Sequence, residues 1–548
     1  MSKKYNQTRN FSRRQFLTAV SKGALAVGVP VFLGSRLANA QQSRPRRFVI
    51  AEDRFGRMFP ELPPFAEPSN NLETALLELG KRGGLLDAMD ALDRSPENLI
   101  VDVTLSANNP NNETHTAGTT FMGQFIDHDI TFDLTSRLGQ ATDPALSPNF
   151  RTPGLDLDAV YGGGPHANPE LYEEIKRGHR TERGIKLRVE SGGTFEDLPR
   201  QGTTAIIADP RNDENLVIAG LQAAFLLFHN HVVDLLTKSP GHGPDKGGMT
   251  AVAGKSRPVV SSQELFGKAR RLTTWHYQWM VVHEFLPLFV GQAIVDDILE
   301  NGRKFYRPEV AQIPVEFMGA AYRFGHSMVR PSYRANFTSL KGEPFFGFIF
   351  DSSQENNPDP DDLRGGFRAP RRYIGWQTFF DFGDGNVKPN KLIDTKISTP
   401  LFDLPLAAIA TLTPPAEPPT SLAQRNLLRQ VTWQLPSGQS IAKRMQVAAL
   451  SNEDLKELKD FGQKLDESTP LWYYILKEAE VMEKGLHLGP VGGRIVGEVI
   501  IGLLQLDRHS YLSNMPQWRP TLPTMSGKVT GSFRMVDFLA FAGVTQLR

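Results

Sequence analysis

The chain has 548 residues, with 61 Lys and Arg against 60 Asp and Glu for a net charge of +1, 40% hydrophobic residues and no cysteine. That length accommodates three average domains or one large single-core enzyme, and a chain without cysteine has no disulfides, thiolate metal ligands or cysteine nucleophiles. Residues 1–40 hold seven basic residues and no acidic one, leaving 54 basic against 60 acidic residues in the remainder; so slightly acidic a body argues against nucleic acid or an anionic membrane surface as the main partner.

The first forty residues read as targeting, not fold. Ser12-Arg13-Arg14-Gln15-Phe16-Leu17 resembles a twin-arginine export motif, an apolar run follows over 18–33, and Ala38-Asn39-Ala40 resembles a small-residue cleavage site. Lys22, Gly23, Gly28 and Pro30 interrupt the run, which is too weak to span a bilayer. The expectation is passage through the twin-arginine translocation machinery to the periplasm or the extracellular space. No later segment reads as apolar enough to cross a membrane, so no membrane anchor is expected in the mature protein.

Residues 41–115 are expected to be an extension packing on the catalytic domain, which would occupy 116–548. Pro60, Pro63, Pro64 and Pro68 make the start of the extension loop-rich, a helical pattern follows over about 72–92, 99–105 looks strand-like, and 108–112 is a turn cluster. Phe121-Met122-Gly123-Gln124-Phe125-Ile126-Asp127-His128-Asp129 comes next. On a helix Gln124, Asp127 and His128 share one face, crowding an amide, a carboxylate and a base onto an otherwise apolar element. Polar groups on a buried face cost several kcal/mol unless paired or used.

Residues 143–170 are irregular. A long helix is expected over about 214–238, with Val217, Leu221, Ala224, Phe225, Phe228 and Val232 on its buried face. Residues 239–258 read as a surface loop, 263–291 as a helix broken near Pro287, and 313–330 as a helix stopped by Pro331. Ser421-Leu422-Ala423-Gln424 has capping-box form and opens a helix carrying Asn426 and Arg429. Helices are also expected at 452–465, 471–484 and 491–504. There is no internal repeat and no sustained strand alternation, so the class is mostly α, a single large helical domain with long loops and little β-structure.

Gly123–Asp129, Thr152–Gly162, Ala208–Glu214, Phe228-His229-Asn230, Glu284-Phe285-Leu286-Pro287, Tyr322–His326 and Arg425–Arg429 occur in this order. Together they resemble the animal-type haem peroxidase family (the peroxidase–cyclooxygenase superfamily) in a bacterial form, over roughly residues 110–515. The resemblance implies a haem peroxidase that reduces hydrogen peroxide and oxidises a small electron donor, either a halide or pseudohalide or a phenol. It makes His128 the distal base, suited as a neutral imidazole to moving a proton between peroxide oxygens. Arg211 becomes the distal arginine, whose charge stabilises the departing oxygen. Gln124 lines the distal pocket.

By the same resemblance His326 is the proximal ligand of the haem iron, oriented by Asn426 accepting its ring N–H. Arg323 and Arg429 contact the haem propionates. Asp127 and Glu214 form ester links to a haem b, and Asp129, Thr152, Gly154, Asp156 and Asp158 hold calcium. The other histidines, including His229 and His231, read as structural or solvent-facing. Two departures stand out. Gln430-Val431-Thr432-Trp433-Gln434-Leu435-Pro436 replaces the usual basic-acidic-His stretch, and Asn215 stands where some members carry a haem-linked methionine. Two other functions share the superfamily: a fatty-acid dioxygenase and a peroxinectin-like adhesion protein. The radical tyrosine of the first would stand three residues before the proximal histidine, where this chain has Arg323. The second has no Arg-Gly-Asp or Lys-Gly-Asp triplet to support it.

Overall fold

A computed structural model describes residues 54–177, 180–191, 195–238, 261–337, 343–366, 371–409 and 418–545. The export motif and cleavage site expected over 1–40, and the loop expected over 239–258, lie outside the described residues. Among the longer helices are α1 (Asn70–Leu79), α2 (Gly118–Ile130), α3 (Leu216–Lys238), α4 (Ser262–Met280), α5 (Leu422–Thr432), α6 (Leu471–Met482), α7 (Pro490–Leu506) and α8 (Met535–Ala542), with Gln292–Asn301 and Gly438–Met445 beside them. Every sheet among the described residues is a two-stranded pair, so the mostly helical class holds.

The centre of the fold is α3. It packs against α4, α8 and α2, while α7 packs on α6 and α5 lies against α1. Phe225 of α3 stacks on Phe125 of α2 with ring centroids 4.4 Å apart and 6° between planes, and Tyr277 of α4 meets Phe225 edge-on at 5.6 Å. Burying such a ring stabilises the fold by about 1.5–3 kcal/mol, and the aromatic pair adds about a further 0.5–1.5. This cluster fixes where α2 presents its polar face. With mean hydropathy 1.6 over its most apolar window, α3 is long and apolar enough to cross a membrane, contrary to the reading that no later segment is. Its window is 83% buried inside the protein, which makes it a core helix here.

Several sequence expectations change. The helix expected over 72–92 ends at Leu79, where the Gly80 N–H bonds back to Leu76. Residues 99–105 are not a strand: Asn98–Val101 is a helical turn, and Asp102 caps the 3-10 turn Val103–Ser106 by accepting from the Thr104 N–H. Local side-chain bonding there outweighs the β preference of Val101 and Val103. The break expected at Pro287 begins earlier, in a π-helical segment, Val281–Phe285, and Pro287 instead opens the helix Leu286–Val290. Residues 452–465 carry only a 3-10 helix, Lys456–Phe461.

The largest change concerns 313–330. Ile313–Pro314 pairs in parallel with Phe55–Gly56, Val315–Gly319 is a short helix, and Ala321–His326 is 3-10. Buried Glu316 accepts the Met58 and Phe59 N–H groups at 2.9 and 3.0 Å, tying the N-terminal segment to this turn. In a 3-10 helix side chains at i and i+3 eclipse, which sets Arg323 directly over His326.

Residues 363–366 form a strap across the start of α3. Leu216 N–H donates to the Leu363 carbonyl at 2.7 Å, and Gly365 N–H to that of Glu214 at 3.0 Å. A Cβ on Gly365 would lie 1.6 Å from the Asp213 carbonyl oxygen. Gly365→Ala is therefore expected to push the strap off Glu214 and destabilise the protein by about 1–3 kcal/mol. Urea unfolding checks this, and an unchanged midpoint would contradict the contact.

Candidate active site

The polar face of α2 opens into a cavity of about 280 Å³ whose lining includes Gln124, Asp127, His128, Arg211, Glu214, Arg323, His326 and Arg429. The structure thus brings together every residue expected to serve the haem except Asn426, which lies directly behind His326. Met328, Phe289 and Phe350 supply apolar walls.

His128 is buried. Its Nδ1 lies 2.8 Å from Asn212 Oδ1, and the Asn212 amide donates to Gln222 Oε1 at 2.9 Å. With that amide spent on Gln222, Asn212 offers its oxygen to the ring, so Nδ1 carries the proton and Nε2 keeps its lone pair. Burial, and next the Arg211 charge, push the ring down to about 4, so the imidazole is neutral near pH 7. Sequence reading missed Asn212, whose signal lay in its place beside Arg211 in the same short motif.

Arg211 sits on the 3-10 turn Pro210–Asp213, capped by Asp209. Its Nη2 donates to the carbonyls of His128 and Thr131 at 3.0 and 2.7 Å and to Asp209 Oδ2 at 2.7 Å, and its guanidinium covers the Phe132 ring at 4.0 Å. These bonds close the C-terminal end of α2, where a cation is favoured. Nε is also taken by Asp209, at 3.1 Å, so Nη1 is the edge not held by these contacts. Fully buried Asp209 pairs at once with Arg211 and with Arg151, whose Nε donates to it at 2.7 Å. Arg151 in turn lies 3.6 Å from Asp158. Neither Asp209 nor Arg151 was singled out from sequence.

Glu214 accepts from the Gln124 amide, and Gln124 Oε1 accepts from Asn215 at 3.2 Å. Burial raises Glu214 to about 7, opposed by Arg211. Asp127 Oδ1 accepts from the Thr131 hydroxyl at 2.9 Å. The two carboxyls expected to form esters therefore both face the cavity.

On the opposite wall His326 Nδ1 lies 2.8 Å from Asn426 Nδ2, while Asn426 Oδ1 accepts from Arg323 Nη1 at 3.3 Å. The two side chains meet as expected, with the amide nitrogen towards the ring because Arg323 takes the oxygen; to ligate iron through Nε2 the ring must carry its proton on Nδ1, which Asn426 would accept by turning its oxygen from Arg323 to the ring. Burial, then Arg323, hold the His326 ring down at about 3, so the imidazole is neutral near pH 7. Arg323 itself is lowered to about 9 by burial and by Arg429. Arg429 pairs with Asp133 at 3.2 Å. Two cations facing one cavity suit an anionic ligand group at that end. Tyr322 also lines the cavity, stacked on Phe317 at 4.7 Å, with a buried hydroxyl that has no hydrogen-bond partner among the described residues.

Beside α2, ligand atoms of Asp129, Asp156 and Asp158 lie within 4.8 Å of one another. Asp158 Oδ2 accepts from the Thr152 hydroxyl at 3.1 Å, and the Gly154 carbonyl accepts from Asp156 N–H at 2.9 Å. Burial, then Asp156, raise Asp129 to about 8. Carboxylates crowded this closely in a buried place suit a hard cation. Elsewhere His229 bonds Tyr161 and the Ile185 carbonyl at 3.0 and 2.9 Å, and Glu284 accepts from Met535 N–H at 2.8 Å. Neither residue lines the cavity.

The family model for animal haem peroxidase matches residues 135–346. Dual oxidase of Drosophila melanogaster is 25% identical over 126 residues, 23% of this chain and 7% of that protein. Chorion peroxidase of Aedes aegypti is 25% identical over 223 residues, 39% of this chain and 25% of that protein. The chain thus spans a quarter or less of the curated relatives it matches. Fatty acid alpha-dioxygenase of Arabidopsis thaliana aligns with TM-score 0.50 at 14% identity, over 90% of this chain and 76% of that one. That likeness shows the fold alone.

Proposed function

From the match of residues 135–346 to the family model for animal haem peroxidase, we propose that the protein reduces hydrogen peroxide and oxidises a halide, pseudohalide or phenol. The observation that carries this reading is a pair of neutral histidines, His128 and His326, lining one cavity with Arg211 beside the first. Haem b, held through His326, would supply the redox-active iron. Arg323 and Arg429 would meet its propionates, Arg429 exchanging its Asp133 partner.

The rest is done by the chain. His128 Nε2 takes the proton from one peroxide oxygen and returns it to the other, while Asn212 holds the ring in the competent tautomer. Arg211 Nη1 stabilises negative charge on the departing oxygen. A visible spectrum of the purified protein before and after peroxide, with peroxide-dependent oxidation of iodide, bromide or a phenol, tests the reading. A protein without a haem spectrum, or without donor oxidation, would contradict it.

Tyr322 favours a second reading, because its unpaired hydroxyl lines the same cavity. Oxygen uptake with an unsaturated fatty acid, abolished by Tyr322→Phe, would make the protein a dioxygenase. Arg323 stands at the position the radical tyrosine requires, which supports the peroxidase.

Asp127 and Glu214 would carry ester links to haem methyl groups. Acid–acetone extraction after peroxide treatment is expected to leave haem on the polypeptide, and complete release would refute the links. Asp129, Thr152, Gly154, Asp156 and Asp158 would hold calcium. Chelation is expected to perturb the haem spectrum, because Asp129 directly follows His128. An unchanged spectrum, with no calcium by elemental analysis, would remove the cation. Export through the twin-arginine machinery would place the enzyme in the periplasm or outside the cell, which localisation of a tagged full-length chain would test.

A further inference from the structure

A second groove, of about 480 Å³, lies on the far side of an aromatic wall from the haem cavity. Tyr333 and Phe379, stacked with centroids 5.8 Å apart, belong to that wall. Leu99, Ile100 and Val103 line another side, and Val103 is 72% exposed, so the groove opens to solvent. Its lining contains no carboxylate and three basic residues, Arg330, Arg334 and Lys388.

Arg330 is the informative one. Half-buried, it gives Nε to the Pro389 carbonyl at 3.0 Å and Nη2 to the Asn390 carbonyl at 2.9 Å and to the Asn111 side-chain oxygen, while Nη1 has only a 3.5 Å contact with the Asn109 carbonyl. All of these acceptors are neutral. A guanidinium drawn out of water without a counter-ion is electrostatically unsatisfied. Burial lowers its pKa, opposed by Tyr333 and, through charge, by Glu113 and Asp90. Asp90 is already engaged by Ser106, Asn109 and Thr399. Arg334 lies over the Phe337 ring at 4.0 Å, its Nε near the Asn336 carbonyl at 3.4 Å, and Lys388 is exposed.

We propose that this groove binds a small amphipathic carboxylate, its apolar body on Tyr333, Phe379 and Leu99 and its carboxylate on Arg330 Nη1. Arg334 and Lys388 add attraction at the mouth. Aromatic and aliphatic walls bury the body, and the anion supplies the charge that Arg330 lacks. Tyr333 places the occupant one ring layer from the haem cavity: its ring is 5.2 Å from Phe121, which lines that cavity, and its hydroxyl accepts the Arg330 backbone N–H at 2.7 Å. The groove is thus an accessory site beside the cavity, and the inference stands whether or not the protein is a peroxidase.

Calorimetric titration of the full-length, haem-containing protein with 1-naphthoate and with neutral 1-naphthol tests it. Naphthoate is expected to bind about tenfold more tightly than naphthol, one charge-assisted contact's worth. Arg330 also braces the strand 389–391, so the test uses rim substitutions that leave the core alone. Lys388→Glu is expected to weaken naphthoate by about tenfold and leave naphthol unchanged, and Val103→Glu to weaken naphthoate by about as much. No binding, equal affinity for the two probes, or naphthoate affinity unchanged in both variants would overturn the proposal. The last result would place the probe elsewhere in the protein.

Discussion

Under the proposed function, replacing His128 by alanine is expected to lower kcat/KM for hydrogen peroxide by about 10²–10⁴, the usual contribution of a positioned acid–base group. The haem absorption band should persist, because His326 and Asn426 on the opposite wall are untouched. The cause is specific to the ring. His128 is buried and neutral, with Nδ1 tied to Asn212 and Nε2 left basic. Asn212→Leu, which removes only the tautomer lock, is expected to cost less, about tenfold. Stopped-flow measurement of the reaction with peroxide reads both. A His128→Ala protein retaining more than a tenth of the wild-type rate would remove the histidine from its role.

The second large effect belongs to a residue that touches no substrate. Asp209→Ala is expected to destabilise the protein by about 3–5 kcal/mol, because removing one member of a buried ion pair strands the others. Asp209 is fully buried and neutralises Arg151 and Arg211 together, so its loss leaves buried Arg151 with only Asp158, 3.6 Å away, and Arg211 without its ion-pair partner. It also caps the turn that aims Arg211, accepting that residue's N–H at 3.0 Å. Asp209→Asn keeps an oxygen for the cap and loses only the charge, so it should fall between wild type and alanine. Urea denaturation gives the ordering, and a loss under about 1 kcal/mol for alanine would show the cations are not dependent on it.

The candidate site was more legible than the secondary structure around it. Gln124, Asp127 and His128 are four residues apart or less, so helical spacing alone puts them on one face, and α2 bears that out. Ala321–His326 was legible only as chemistry. An apolar run with Pro314 at its start and Pro331 just past its end reads as a continuous helix, and nothing local announces that Glu316 will be pulled toward Met58 and Phe59, 258 and 257 residues earlier in the chain. The 3-10 turn that results eclipses Arg323 with His326 and hands the Asn426 oxygen to Arg323.

What the sequence by itself determined is the local part: the mostly helical class, the amphipathic face of α2, the cap at Ser421 that opens α5, and the residue types able to act as base, ligand and cation. These depend on spacing within a turn or two, where backbone geometry leaves little choice. The cap illustrates the limit. Ser421 does accept from the Gln424 N–H, but the Gln424 side chain donates to the Leu77 carbonyl of α1 instead of closing the box on its own helix. Tertiary structure alone decided which charges meet: Asp209 between Arg151 and Arg211, Asn212 behind His128, the Gly365 strap across Glu214, and an Arg330 surrounded by neutral carbonyls. Each joins groups that fold into a low-dielectric interior. There an unpaired charge or amide costs more than any local propensity contributes, so long-range partners select the final geometry.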